Sequence, residues 1–235
     1  GLGKGLGNAL VLSYGWNSNE ATRIWAVGPE PVSHGSALKM DQPTCLLVDK
    51  TFGLQLPDDF KANLIAAFLE VARQGVLVNS PMRGVRFDLV DARYHMDAVH
   101  RRPNSGVPAA IRAMKGAFLL ADPALIEPMY RVDITGGLGM LNAVYSVLGQ
   151  SGGIVTNTIS TATTDTIQAS VPVRQSFGLV ESLRVAAHGH AQCNTTFDGM
   201  RLVPLQELDQ IIAEARTQKN LGEAVPAAEA FIDKL

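Results

Sequence analysis

An alternation of apolar and polar residues before residue 90 predicts a strand. Arg86 and Asp88 separate three apolar positions at the two-residue spacing of a half-buried strand, namely Val85, Phe87 and Leu89. Upstream, apolar residues at helical spacing predict a helix from Asp58 or Asp59, as its cap, to Gln74, with Gly75 as its stop. The stripe of that helix is Phe60, Leu64, Phe68 and Val71. Short apolar runs at 24–27 and 46–48 predict two more strands.

The polar stretch after this strand predicts an exposed tip over residues 92–107. Pro103 and Gly106 oppose regular structure, and the residues between them suit a turn. Pro108 then fits the first position of a helix, whose inward residues recur at helical spacing as Val107, Ile111, Met114 and Phe118. Strand, helix, strand, tip and helix together predict one compact α+β domain.

A second unit with its own strand and helix pattern is predicted from residue 128 to residue 198. Strands are expected at 130–134, 154–159, 166–171 and 193–197, and two helices separate them, the second capped by Ser176 and carrying Leu179, Leu183 and Val185. The order β-α-β-β-α-β is that of the split βαβ, or ferredoxin-like, fold. A last helix over 207–218 follows. The glycine-rich residues 1–13 and the segment 30–45 predict a flexible start and a loop.

Charge distinguishes the tip from the rest of the chain. From Arg83 to Lys115 there are seven Lys or Arg and three Asp, an excess of four positive charges, whereas the whole chain is at −2 and the remainder therefore at −6. A basic projection on an acidic body suits contact with a phosphate backbone, although scattered surface charge on a solvated loop gives the same count.

Several classes of protein are excluded by composition. The chain lacks both a run of 18 apolar residues and a signal-peptide pattern, so we expect no membrane span and a cytoplasmic location. Cys45 and Cys193 lack the spacing of a metal or redox motif, which indicates idle thiols in a reducing compartment. Catalytic and metal-binding motifs are missing around the histidines as well, and we expect neither catalytic nor metal-ligating residues here.

The tip resembles a segment of a known family. Asp97-Ala98-Val99-His100-Arg101 is similar to the Asp-Ala-Ile-His-Arg segment of the archaeal and eukaryotic translocases, elongation factor 2. Further matches in register are Met82–Phe87, Phe118–Pro123, Glu127-Pro128, Pro172-Val173, Ser176-Phe177-Gly178, Tyr14–Trp16, Ile24–Pro29 and, at the end, Asp233–Leu235. The resemblance covers the fourth and fifth domains of that family. It implies a ribosomal-protein-like α+β domain at 1–127 and 199–235, with the ferredoxin-like domain at 128–198 inserted in it.

The resemblance also implies the residues that act. The tip of the fourth domain enters the decoding site of the ribosome, so six residues are expected to contact RNA there or to shape the tip: His95, Asp97, His100, Arg101, Arg102 and Asn104. His100 corresponds to the histidine that the family converts to diphthamide. Where the family continues with three glycines and a glutamine, this chain has Arg102, Pro103, Asn104 and Ser105. Proline fixes a dihedral that glycine leaves free, so a modifying enzyme would meet a stiffer loop.

The implied function is that of part of a monomeric translational GTPase. Such a factor promotes the movement of tRNA and mRNA on the ribosome, with ribosomal RNA as a further partner and no membrane. GTP and Mg²⁺ would act in a separate domain of the parent protein, since the phosphate-binding motif GxxxxGK[ST] is missing here, and this part would need no cofactor. Two alternatives remain open, the related spliceosomal GTPase and a non-translocating ribosome-bound or biogenesis factor of the same family.

Overall fold

The computed structural model describes residues 10–12, 15–29, 45–222 and 224–232. The predicted flexible start, the loop at 30–45 and the match at 233–235 lie wholly or mostly outside these residues. The chain divides into two compact units, Gly1–Pro123 with Asp209–Leu235, and Ala124–Leu208. The second unit therefore begins four residues before, and ends ten residues after, the segment 128–198 that was predicted from the sequence. The predicted α+β class is confirmed.

The first unit contains a three-stranded sheet and two long helices. Its elements are α1 (Ser18–Thr22), β1 (Ile24–Gly28), β2 (Cys45–Asp49), α2 (Asp58–Arg73), β3 (Arg86–Leu89) and α3 (Pro103–Leu120). The strand order is β1-β2-β3, with β1 antiparallel to β2 and β2 parallel to β3. A parallel pair needs a crossover connection, and α2 provides it. The strand predicted at Val85–Leu89 and the two upstream strands are therefore confirmed.

Both long helices bury apolar side chains against one face of this sheet. Leu64, Phe68 and Val71 of α2 belong to the same core as Phe87 of β3 and Met114 of α3. The rings of Phe68 and Phe87 meet edge to face at 6.1 Å between centroids, a favoured aromatic geometry. The predicted inward stripes of both helices are thereby confirmed. Because α2 is packed against the sheet, it can support the segment of chain that follows β3.

The starts of the helices differ from the predictions. Pro57, without a side-chain hydrogen bond, is the N-cap of α2, so the predicted cap at Asp58 or Asp59 is wrong; both carboxylates lie in the first turn, where they complement the helix dipole. α3 begins at Pro103, and Pro108 lies inside it. The turn predicted at 103–106 is wrong because Pro103 itself supplies the preset φ of a first helical residue.

The second unit is a four-stranded antiparallel sheet with two helices. Its elements are β4 (Ile126–Gly137), α4 (Leu141–Gln150), β5 (Ile154–Ser160), β6 (Thr164–Pro172), α5 (Leu179–Ala186) and β7 (Gln192–Leu202). The strand order β5-β6-β4-β7, with this element order, is the ferredoxin-like plan. Val132, Ile134, Ile167 and Leu183 are fully buried in its core.

The cap predicted for α5 is wrong, whereas the helix carries the three predicted residues Leu179, Leu183 and Val185. Gly178 in the left-handed conformation, not Ser176, precedes the helix; the Ser176 hydroxyl donates instead to the Val173 carbonyl at 2.8 Å. Val185 is 72% exposed, because it lies two residues after Leu183 and therefore on a different side of the helix from the buried Leu179 and Leu183.

The last helix, α6 (Leu205–Gln218), ends in a cluster of hydrogen bonds within the first unit. The Arg216 side chain donates to the carbonyls of Leu77 at 2.8 Å, Gly222 at 2.9 Å and Leu221 at 2.9 Å. Lys219 donates to the Val78 carbonyl at 2.8 Å. These cations hold the turn at 76–80 against the end of the helix, where positive charge is favoured.

A helix long and apolar enough to cross a membrane is missing from the part of the chain that the structure describes.

Candidate nucleic-acid interface

The candidate interface is the tip loop, residues 90–102, which connects β3 to α3. Every residue from His95 to His100 is exposed, including two apolar ones, Met96 at 85% and Val99 at 53%. A single 3₁₀ turn, Ala98–Arg101, is the regular structure in the loop. The exposed tip predicted at 92–107 is thus present, although its last five residues form the first turns of α3.

The two tip histidines lie side by side. The centroids of the His95 and His100 rings are 4.3 Å apart, with the planes tilted by 57°. His95 Nδ1 accepts from the Asp97 main-chain N–H at 3.1 Å, so a neutral His95 carries its proton on Nε2. The two histidines are five positions apart in the sequence, and the turn between them brings the rings together on the exposed side.

Asp97 caps the 3₁₀ turn. Its Oδ1 accepts from the Val99 N–H at 3.0 Å, the usual role of an aspartate at such a position. The carboxylate therefore determines the path of the backbone toward His100.

Arg101 points inward, unlike its neighbours. Its side chain is 12% exposed, and its guanidinium donates to the carbonyls of His95 and Met96, both at 2.6 Å. Its Nε donates to Asp59 Oδ2 at 3.0 Å, and its Cζ lies 5.8 Å from the centre of the Tyr94 ring. The Arg101 guanidinium thus joins the loop backbone to the first turn of α2.

Arg102 and Asn104 are exposed at the start of α3. Arg102 is the N-cap residue, and its carbonyl accepts from the N–H groups of Ser105 at 3.0 Å and Gly106 at 2.9 Å. The Ser105 hydroxyl lies 3.1 Å from both the His100 and the Arg102 carbonyls. The segment that differs from the family's glycines is therefore the regular beginning of a helix, and it holds one side of the tip loop in place.

Three supporting residues on or before α2 were missed by sequence reasoning. Asp59 pairs with Arg101, Asn63 donates to the Arg101 carbonyl at 2.7 Å, and the Gln55 carbonyl accepts from the Tyr94 hydroxyl at 2.8 Å. They precede the tip by 38 to 42 residues, and no local pattern connects them with it. The sequence held one sign of such a contact, a polar Asn63 at an inward position of an amphipathic helix. A buried side-chain amide needs a hydrogen-bond partner, and the partner here is the Arg101 carbonyl.

The positive charge counted from the sequence is partly neutralised. Arg86 pairs with Asp88 at 2.7 Å and with Glu20 at 3.4 Å, and Arg101 pairs with Asp59. Arg93 and Arg102 are exposed. The positive charge that faces solvent at the tip loop is therefore that of Arg93 and Arg102, and Asp91 and Asp97 are exposed in the same loop.

Other chemistry is not indicated in the described residues. Groups of three His, Cys, Asp or Glu side chains that could hold a metal ion do not occur among them. Both thiols are free; burial raises the pKa of the Cys45 thiol and, in the second unit, that of the Cys193 thiol, which disfavours the reactive thiolate.

Comparison with known proteins places both units in one family. The family model "Elongation factor G, domain IV" matches residues 4–122, and the model "Elongation factor G C-terminus" matches residues 124–211. The two matches meet where the two compact units divide. Among solved structures, a protein of Thermus thermophilus is 21% identical, with a TM-score of 0.59 over 73% of this chain and 26% of that protein, which is a likeness of fold.

This chain thus spans about a quarter of the length of that relative. The domain IV model matches half of the residues, the C-terminus model matches most of the others, and the fold agrees with both. The chain therefore belongs to the elongation factor G family of translation factors and carries the domain IV and carboxyl-terminal parts of that family.

Proposed function

We propose that this chain is the ribosome-contacting carboxyl-terminal part of a translational GTPase, and that its tip loop enters the decoding site while tRNA and mRNA move. The observation that carries the proposal is the exposed pair of rings, His95 and His100, at the end of a loop that α2 and α3 hold on both sides. GTP hydrolysis, with Mg²⁺, belongs to a domain of the parent protein outside this sequence.

The chemistry of the tip loop suits RNA. Exposed imidazoles donate and accept hydrogen bonds and stack on bases, and sugar hydroxyls are partners that RNA alone offers. Arg102 adds a guanidinium for a phosphate. Met96 and Val99 add exposed apolar contacts that a purely electrostatic interface would not need.

Rigidity supports this role as well. A loop that must be ordered upon binding loses conformational entropy at that moment, whereas this loop already has Asp97, Ser105 and Arg101 hydrogen-bonded to its own backbone. The tip loop would then transmit the movement of its domain to the RNA as a positioned element.

Within the family, the Asp97–Arg101 segment favours the archaeal and eukaryotic branch, elongation factor 2. His100 is then the position that would carry diphthamide, and its ring is exposed and open to a modifying enzyme. The helix that begins at Pro103 differs from the flexible glycines beside the modified histidine in the family. Intact-mass measurement of the protein from its native source tests the modification separately, because an unmodified mass removes it without affecting the contact role.

Single-turnover translocation by the full-length protein tests the contact role. His100→Ala and, separately, Arg102→Ala are each expected to slow translocation by about tenfold or more, equivalent to about 1.4 kcal/mol in the barrier. His190→Ala, an exposed histidine of the second unit, is the matched control and should translocate normally. Normal translocation by both tip variants would contradict the proposal. Cross-linking to small nuclear RNA in place of ribosomal RNA would instead identify the spliceosomal relative.

A further inference from the structure

We infer that Arg101 is a positioning residue that orders the tip loop and does not itself bind RNA. The inference rests on the proposed function, in which the tip loop contacts RNA. It assigns a different task to each of two adjacent arginines. Arg101 fixes the backbone that carries the histidine pair, and Arg102 meets the phosphate.

The contacts of Arg101 occupy three of the five N–H groups of its guanidinium, and the side chain is 12% exposed. Three hydrogen bonds, to the two carbonyls and to Asp59, use both its Nη1 and its Nε. The Tyr94 ring lies beside the guanidinium carbon, at a distance where cation–π attraction operates. A phosphate could replace these partners only by releasing two carbonyls and a carboxylate that are already satisfied.

The partners of Arg101 are themselves held by α2. Asp59 is in the first turn of that helix, and Tyr94 packs on Phe60 of the same helix with 5.5 Å between ring centroids. The Tyr94 hydroxyl donates to the Gln55 carbonyl just before the helix. The carbonyl of Arg101 accepts from Asn63, one turn further along α2. Arg101 therefore connects the loop to a helix whose other face is buried in the core.

The backbone that Arg101 holds is the part that places the rings. The two carbonyls belong to His95 and Met96, and the next N–H, that of Asp97, donates to the His95 ring. Moving this segment would change the 4.3 Å approach of the His95 and His100 rings. His100 itself is held from the other side, where Ser105 contacts its carbonyl.

Lysine cannot perform this task. The planar guanidinium spans two carbonyls and a carboxylate in a fixed fork, whereas an ammonium is a single point of donation on a flexible chain. Arg101→Lys therefore keeps the charge and removes the geometry. Arg101→Lys therefore distinguishes a positioning role from an electrostatic one, because lysine can still contact a phosphate but cannot reproduce the forked hydrogen bonds of arginine.

Two measurements on the full-length protein distinguish the roles. The first is amide hydrogen exchange of residues 95–100 in the free protein, which needs no ribosome. The second is the salt dependence of ribosome binding, where each phosphate contact contributes about one unit to the slope of log K against log salt. The variants are Arg101→Lys and Asp59→Asn for the positioning contacts, with Arg102→Gln as the matched variant for phosphate contact.

We expect Arg101→Lys and Asp59→Asn each to speed exchange of the Asp97 and Val99 amides by about tenfold. Strand β2 should exchange as in the parent, and the salt slope should stay unchanged. Arg102→Gln should leave the exchange unchanged and reduce the slope by about one. The double variant Asp59→Asn with Arg101→Lys should add little to the exchange rate of either single variant, since both act on one contact.

Two results would overturn the inference. One is amide hydrogen exchange of residues 95–100 at the same rate as in the parent protein in both Arg101→Lys and Asp59→Asn. The other is a slope reduced by about one in an Arg101→Gln variant whose exchange is unchanged. A protein that does not bind ribosomes at all would contradict the proposed function while the exchange measurement still decided the role of Arg101. Asp59 has a side chain 41% exposed, so Asp59→Asn is expected to fold even if a change at Arg101 did not.

Discussion

The side-chain amide of Asn63 donates to the main-chain carbonyl of Arg101 at 2.7 Å, which joins α2 to the end of the tip loop. The amide lies directly beneath Gly106 of α3: a Cβ built at Gly106 would lie 2.5 Å from Asn63 Nδ2. The space that glycine leaves in α3 thus permits the hydrogen bond that holds the tip loop.

Gly106→Ala tests this relationship. Alanine in place of glycine inside a helix usually stabilises by about 1 kcal/mol, but here the added methyl must displace Asn63 and break its hydrogen bond. We expect a net loss of about 1–3 kcal/mol in the free energy of unfolding, measured by urea denaturation followed by circular dichroism.

The control for this change is Gly149→Ala in α4, where an added Cβ meets nothing within 4 Å. That variant should be as stable as the parent or more stable. Equal stabilisation by both substitutions would contradict the close approach of α3 to Asn63.

Arg216 gives a second test, in the cluster that ends α6. Arg216 is 5% exposed, and its guanidinium donates hydrogen bonds to main-chain carbonyls. Arg216→Lys cannot reach all of these carbonyls from one nitrogen, and we expect a loss of about 2–4 kcal/mol in unfolding free energy. Peptide-level hydrogen exchange should also show faster exchange at residues 76–80.

Arg73→Lys, at an exposed position in the last turn of α2, should change stability by less than about 0.5 kcal/mol. If Arg216→Lys behaved like this control, the carbonyl cluster would contribute nothing to stability.

Glu127 gives a third test, in the second unit. This carboxylate is 7% exposed; it accepts from Arg174 Nε at 2.9 Å and lies 3.5 Å from Arg201 Nη2. Arg174 also pairs with Glu207. Removing one partner of a buried ion pair leaves the others uncompensated, so Glu127→Gln should cost about 2–4 kcal/mol in unfolding free energy. Glu181→Gln, on the exposed side of α5, is the control. A neutral result for both would mean that the arginines find other partners without loss.

The thiols give a test of burial that needs no substitution. Cys45 is fully buried and Cys193 partly buried, and burial raises the pKa of both thiols. Because the thiolate is the reacting form, we expect iodoacetamide at neutral pH to label Cys193 slowly and Cys45 more slowly still, while both label fast in urea. Mass spectrometry of the labelled peptides measures this order. Rapid native labelling of Cys45 would contradict its place in strand β2.

The predictions from sequence succeeded where the pattern is local. Alternation gave β3, and helical spacing gave the inward faces of α2 and α3, because burial of one face follows directly from these periods. The errors concern the starts of helices. Pro103 and Pro108 both suit a first helical position by their φ, and the helix begins at the earlier of the two. Ser176 has the chemistry of a cap, yet its hydroxyl contacts Val173 instead.

The organisation of the tip loop was beyond prediction from sequence. The residue types of the histidine pair and of Arg101 were visible, but their tasks depend on Asp59 and Asn63, some forty residues earlier. Such contacts depend on the register of α2 against the loop, which no local period encodes. Arg101 is turned inward by its contacts with Asp59 and with the loop backbone, while the adjacent Arg102 is exposed.

The central claim is that the tip loop contacts RNA in the decoding site, and site-specific photo-cross-linking tests it most directly. A photoreactive residue at Val99, exposed in the tip loop, would be compared with one at Val185, exposed on α5, in the full-length factor bound to ribosomes. Cross-links from position 99 to tRNA, mRNA or decoding-site ribosomal RNA, at several times the yield from position 185, are the predicted result. Cross-links from position 99 to protein only, or RNA cross-links of equal yield at both positions, would contradict the account.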